Sequence, residues 1–146
     1  HIKNGIKKIN NLARLQEIKS GKLKKMVNNN LFLISGDHNE GGAKVLNEYL
    51  KTLDCRKHII IGMMANKEHE KYISYFKDIH SITTIDIPNQ PNAISGKKLM
   101  SKFNNMPNVK FKGSIKEAIK SVPLSDGDLL LITGSLYLCS EVLNLN

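Results

Sequence analysis

The sequence contains no tryptophan, two cysteines, four prolines and only two arginines, Arg14 and Arg56. Each scarcity excludes something. Cys55 and Cys139 share no metal-type spacing and are too few to staple a disulfide scaffold, so they read as free thiols of a cytoplasmic domain. No apolar run approaches the length of a membrane span; the longest, residues 129–132, is strand-sized, which predicts no membrane partner. The first residues, His1 to Gly5, lack a signal-peptide core, and that again predicts the cytoplasm. They also lack an initiator Met, as a fragment or a processed chain would. Arginine scarcity bears on the net charge of +9. A basic chain can bind nucleic acid, anionic substrates or a membrane surface. Bases are read mostly by arginine, and the lysines here are scattered among Asn and Ile rather than clustered. Nucleic acid is therefore a poor fit as partner, and small anions fit better.

What remains is globular. Apolar content of 40% and charged content of 24% lie far from the disordered regime. A length of 146 residues suits one domain with one proper core. Residues 1–12 are polar with Ile2, Ile6 and Ile9 at helical spacing, which predicts a linker or short helix. Residues 23–27 read as an edge strand closed by a turn at Asn28, Asn29 and Asn30. After a strand at 31–34, Ala43, Leu46, Leu50 and Leu53 recur at helical spacing. A strand follows at 58–61, then a helix with Tyr72, Phe76 and Ile79 on one face and His80 at its end. A third strand spans 82–87. Ser95 should cap the next helix, and a short strand is expected at 109–111. Ser114 and Glu117 form a capping box for the helix after it. The last strand, 129–132, leads through Thr133, Gly134 and Ser135 into a terminal helix. Strands alternating with helices at this spacing predict one Rossmann-like, doubly wound α/β domain with a mostly parallel sheet and helices on both faces.

The densest group of reactive side chains, Ser35, Asp37, His38 and Asn39, lies in a Gly-rich loop after the first buried strand. Gly36 and Gly41 have the five-residue spacing of a phosphate-binding P-loop, but Gly42 and Ala43 stand where that loop needs Lys and Ser/Thr. No triphosphate cradle is encoded here. A helix N-terminus beside His38 and Asn39 can still take an anion, or Asp37 or Asn39 can simply cap the helix. The loop Thr133, Gly134, Ser135 ends a parallel strand, so both loops should open toward one crevice. Ser135 and Tyr137 could line it; equally, Ser135 could cap the last helix and Tyr137 pack in the core. A Ser/His/Asp relay drawn from Ser35 or Ser135 with His38 and Asp37 lacks a nucleophile-elbow signature. No metal site is expected, since Glu68, His69 and Glu70 have no second His at helical spacing.

Three stretches together carry a resemblance. Thr133, Gly134, Ser135, Leu136, Tyr137 and Leu138, followed by Glu141 and Val142, are similar to the terminal signature of folylpolyglutamate synthase / dihydrofolate synthase, the folate branch of the Mur ligases. Ser35, Gly36, Asp37, His38 and Asn39 resemble that family's Asp-Gly-Ala-His-Asn loop. Ala13, Arg14, Leu15 and Gln16 resemble the Arg-containing segment after its interdomain hinge. Residues 62–68 are similar to its Gly-x-x-x-Asp-Lys-Asp stretch, with Asn66 and Glu68 replacing the acids. The resemblance implies a C-terminal domain at 13–146, a linker remnant at 1–12, and an N-terminal P-loop ATPase domain that this chain lacks. It also implies a reaction. ATP phosphorylates a folate or dihydropteroate carboxylate, and the amine of L-glutamate attacks the acyl phosphate to form an amide. ATP and Mg2+ are then held mainly by the N-terminal domain, and this chain, expected to be monomeric, is inactive alone. By position, Arg14, Ser35 and Asp37 fall on the ATP side, and His38, Asn39, Ser135 and Tyr137 on the glutamate side. The sequence departs from the pattern at Ser35 for Asp, Asp37 for Ala, and Asn11 and Leu12 for Trp-Pro. A hydroxyl cannot supply a carboxylate's charge, so Asp37 is the candidate to restore it. The alternative is a non-catalytic, Rossmann-like small-anion or nucleotide-binding domain from a degenerate or split gene.

Overall fold

The computed structural model describes residues 14–146 except residue 105. Six strands form one sheet: β1 Leu15–Glu17, β2 Leu31–Ser35, β3 Lys57–Ile61, β4 Ser81–Ile85, β5 Val109–Lys112 and β6 Leu129–Thr133. Their order across the sheet is β1, β2, β6, β3, β4, β5. All neighbours are parallel except β1, which runs antiparallel to β2. Six helices cover it: α1 Lys22–Val27, α2 Glu40–Lys51, α3 His69–Ile73, α4 Gly96–Met100, α5 Ile115–Ser121 and α6 Leu136–Leu145. The expected doubly wound, mostly parallel α/β fold is present.

The pleat divides the core in two. In β6, Leu129 and Leu131 join Ala43, Leu46 and Leu50 of α2, Tyr72 of α3 and Leu99 of α4 on one face. Leu130 and Ile132 join Leu23 of α1, Ala118 of α5, and Leu138 and Val142 of α6 on the other. Successive side chains of a strand point to opposite faces, and both faces are covered, so β2 and β6 are apolar at nearly every position.

The edge strand expected at 23–27 is a helix, α1. Leu23 and Val27 are both fully buried while Lys22 and Lys25 are exposed. That is the i, i+4 pattern of one helical face; alternation would have put Lys25 inside with them. The first turn of α1 is completed by the far end of the chain. Asn146 Oδ1 accepts from the amides of Leu23 and Lys24 at 3.0 and 3.2 Å, and its amide donates to the Ser20 carbonyl at 2.8 Å. Asn146→Ala should therefore lower the unfolding free energy by about 0.5–2 kcal/mol, the usual value of a lost N-cap, measured by urea denaturation. An unchanged midpoint would show that the clamp contributes nothing. The sheet edge itself is held by β1, which pairs Leu15 with Ser35.

Two smaller expectations also shift. The helix carrying Tyr72 stops at Ile73, and Phe76 packs against the Tyr72 ring from the turn beyond it. His80 does not end a helix but directly precedes β4. The capping expectations are met: Ser95 Oγ accepts from the Lys98 amide and Ser114 Oγ from the Glu117 amide.

Candidate functional site

The order reverses at the middle of the sheet. From β2 the chain crosses to α2 on one face, and from the adjacent β6 it turns to α6 on the other. Ser35 at the end of β2 is the register partner of Thr133 in β6, which also faces Ile61 in β3. Three strand ends thus lie side by side, and the loops leaving them diverge. A crevice opens where they part, at the carboxyl edge of a doubly wound sheet. It has a volume of about 590 Å³ and is lined by His38 after β2, Lys67 after β3, Asn92 after β4, and Ser135, Leu136 and Tyr137 after β6.

Glycines set how closely the loops approach. Gly134 has φ +111°, and a Cβ there would lie 2.4 Å from the carbonyl oxygen of Gly62 at the end of β3. A Cβ on Gly42 would lie 2.8 Å from Asp37 Oδ1, so this glycine lets the Asp37 carboxylate rest against the first turn of α2. A negative charge there is favourable beside the helix N-terminus. Asn39 is the N-cap of α2, its Oδ1 accepting from the Gly42 amide at 2.9 Å.

Ser35 is fully buried, and its hydroxyl donates to Asp37 Oδ2 at 2.7 Å. The pair is one unit: a short alcohol fixing the carboxylate two residues on. Ser135, 2% exposed, caps α6 by accepting from the Tyr137 amide at 3.0 Å. Tyr137 is 53% exposed at the mouth of the crevice. Of the two readings open for this pair, capping holds for Ser135 and core packing fails for Tyr137.

His38 stands at the junction. Its Nε2 lies 3.4 Å from Nη1 of Arg14, which precedes β1. Burial, then the Lys67 and Arg14 cations, hold its pKa below the ordinary histidine value, against the opposing pull of Asp37. These influences favour the neutral imidazole. Arg14 itself lines a neighbouring groove of about 490 Å³ with Gln16, Gly36 and Leu143, and Leu136 is common to both hollows. So the structure pairs Arg14 with His38 and Ser35 with Asp37, and brings His38, Ser135 and Tyr137 into one cleft. Asn39 does not line the cleft; it is exposed, with its side-chain oxygen committed to α2.

Lys67 was not singled out by sequence reasoning, although it stands in the stretch 62–68. Spacing could not reveal that the loop after β3 folds toward His38. The signal was its place at a strand's carboxyl end next to a turn.

The family model for the Mur ligase glutamate ligase domain matches residues 16–136. The chain is a Mur ligase glutamate ligase domain. No curated protein sequence matches it. Among solved structures it is similar to folylpolyglutamate synthase from Thermotoga maritima, at 22% identity and TM-score 0.75, covering 91% of this chain and 30% of that one. It is also similar to the Mycobacterium tuberculosis folylpolyglutamate synthase complexed with ADP and AMPPCP, at 16% identity and TM-score 0.74, covering 90% and 31%. A third is the bifunctional folylpolyglutamate synthase/dihydrofolate synthase from Yersinia pestis, at 14% identity and TM-score 0.74, covering 91% and 30%. At such identities these likenesses speak for the fold. The glutamate ligase domain spans about a third of the length of the solved proteins it matches. Among the described residues, no helix is long and apolar enough to cross a membrane, and no cluster of three His, Cys, Asp or Glu side chains is placed to hold a metal.

Proposed function

We propose that this domain is the C-terminal part, residues 13–146, of a cytoplasmic, monomeric ATP-dependent folate:L-glutamate ligase, with residues 1–12 as the linker from an upstream P-loop domain. That domain grips ATP and Mg2+ and most of the folate or dihydropteroate. This one closes over it and presents L-glutamate. The observation that carries the reading is the cleft at the sheet's switch point. It holds an imidazole whose surroundings disfavour its protonation, a lysine and a capped helix N-terminus, yet no loop able to cradle a triphosphate. Cations at the cleft suit a dicarboxylate and phosphates, and a neutral imidazole suits an amine nucleophile. Arg14, Ser35 and Asp37 face the ATP side; His38, Asn39, Ser135 and Tyr137 face glutamate.

The test is ATP-dependent incorporation of labelled L-glutamate into folate and dihydropteroate, with the chain joined to its upstream segment. Joined protein should form the amide and the isolated chain should neither form it nor hydrolyse ATP. ATP hydrolysis by the isolated chain, or no amide from the joined protein, overturns the reading.

A second reading has one observation in its favour. Ser35 stands where the resemblance expects an acid, which suits a binding domain that has lost catalysis. Asp37→Ala separates the two. If the carboxylate held by Ser35 replaces the missing acid, its removal should weaken ATP binding to the joined protein by roughly tenfold or more, the value of a hydrogen bond to a charged group. Unchanged affinity by calorimetry would remove Asp37 from the site and favour the binding domain.

A further inference from the structure

The contact between Arg14 and His38 links the approach to β1 with the loop after β2, two segments that the pairing of Leu15 with Ser35 already sets side by side. A guanidinium carries donors only. The lone pair of His38 Nε2, 3.4 Å from Arg14 Nη1, therefore faces Arg14, and the ring proton sits on Nδ1. Nδ1 is buried and has no hydrogen-bond partner among the described residues. Only one lone pair of this imidazole can take a proton, and Arg14 covers it.

The cover is light. At 3.4 Å the bond is longer than a well-made N–H contact, and it is exposed to solvent. Arg14 projects from an exposed position at the end of the neighbouring groove. A phosphate offers the guanidinium two charged acceptors in its own plane, a bond roughly twice as strong as a neutral one.

We propose that Arg14 is a latch on His38: it occupies the Nε2 lone pair until a phosphate group draws the guanidinium away, and the released imidazole then takes a proton from an amino-acid ammonium in the cleft. The inference rests on the ligase reading for the identity of the amine. The ammonium gives its proton to Nε2, becoming a neutral amine with a free electron pair, and the imidazole becomes imidazolium. Arg14 is a positioning residue; His38 touches the amine. Three charged groups face His38: Arg14 from the β1 side, Lys67 from the loop after β3, and Asp37 from its own loop. Withdrawing Arg14 removes one of the two cations that depress the basicity of His38, so phosphate binding both uncovers the base and strengthens it. The consequence is order. Nucleotide must arrive before the amine is activated, so glutamate is not deprotonated in an empty site.

The experiment is 15N NMR of the His38 imidazole in the 146-residue chain, with inorganic pyrophosphate as probe and Arg14→Gln as variant. In the unmodified chain at pH 8 the shifts should report the Nδ1–H tautomer. Saturating pyrophosphate should move His38 toward the commoner Nε2–H form and raise its titration midpoint. Arg14→Gln should do both without pyrophosphate and leave pyrophosphate little further effect. A Nε2–H tautomer in the unmodified chain, or a His38 titration indifferent to both the probe and the variant, overturns the latch. In the joined protein, His38→Gln should slow amide formation by roughly 100-fold or more, the usual contribution of a general base; an undiminished rate overturns the proton transfer. The two readings fail separately. Absence of amide with an intact Arg14-dependent tautomer change overturns the ligase alone, and amide formation with an indifferent His38 overturns the latch alone.

Discussion

Asp128→Ala should lower the unfolding free energy by roughly 3–5 kcal/mol, the effect of removing one partner from a buried charged network. The network lies at the amino edge of the sheet, opposite the cleft. His58, fully buried in β3, donates from Nε2 to Asp128 Oδ2 at 2.8 Å and accepts at Nδ1 from Ser81 Oγ at 2.7 Å. Arg56 meets the same carboxylate through Nε and Nη2 at 3.2 and 3.0 Å, and the Ser125 amide donates to it at 2.9 Å. Three strands begin here, and one carboxylate ties β3, β4 and β6 together. Truncation would strand the buried His58 N–H, and a buried orphan costs about 1–3 kcal/mol, while water can replace the partner of the exposed Ser125 amide. Arg56, with its side chain 47% exposed, would lose little because water replaces its partner. Urea denaturation measures the loss; a change under 1 kcal/mol would mean that the network is incidental.

The same network gives stability a pH dependence of definite sign. Burial alone would push the Asp128 carboxyl up, but Arg56, the Ser125 amide and His58 outweigh it and hold it well below the usual carboxylate range. Burial holds His58 below the ordinary histidine value, against the pull of Asp128. Both groups have folded values below their unfolded ones, so both stabilise at neutral pH and lose that contribution on acidification. His58 begins to give it up as pH falls below its ordinary 6.5. Asp128 follows below its ordinary 3.8. Unfolding free energy measured from pH 7 down to pH 3 should fall throughout, and His58→Gln should flatten the upper part of the fall. Stability that rises between pH 7 and pH 5 would contradict the assignment.

Elements whose cause is local were legible in the sequence. β2, β3 and β6 announce themselves as apolar runs because two covered faces leave polar residues only near the strand ends. α2 shows its stripe, and Ser95 and Ser114 show their caps. The crevice followed from these, since parallel strands must end on one edge. What could not be read depends on pairs distant in the chain. α1 is helical partly because Asn146 caps it from the other end, so its six residues carried too little pattern to outweigh a strand. Asp128 and His58 lie 70 residues apart, and each alone looks like a turn acid and a strand opener. Lys67 acquires meaning only when the loop after β3 folds against His38. Ser35 and Asp37 are two residues apart, but alternation along a strand would have pointed them the same way only if β2 continued. It ends at Ser35, and the turn at Gly36 brings the carboxylate back onto the hydroxyl.

Gly134→Ala should damage the cleft more than any change to a side chain lining it. The residue stands at φ +111°, where an L side chain is strained whatever the space around it. Space is lacking as well. The added Cβ would press on the Gly62 carbonyl at 2.4 Å and on Ile61 Cγ1 and Met63 Cγ at 3.0 and 3.1 Å. The ends of β6 and β3 would have to separate, and both loops start there. Strain and overpacking together should lower stability by roughly 2–4 kcal/mol. Ser135 is the next residue, so its cap on α6 and the placement of Tyr137 at the cleft mouth would move with it. In the joined protein, amide formation should fall at least as far as with His38→Gln, and the KM for L-glutamate should rise, whereas His38→Gln should act mainly on kcat. The contrast follows from the geometry. Gly134 sets where the amino acid is held, and His38 acts on its proton once it is there. If Gly134→Ala kept both stability and KM, the two loops would not be coupled through Gly62, and the cleft would owe its shape to α2 and α6 alone.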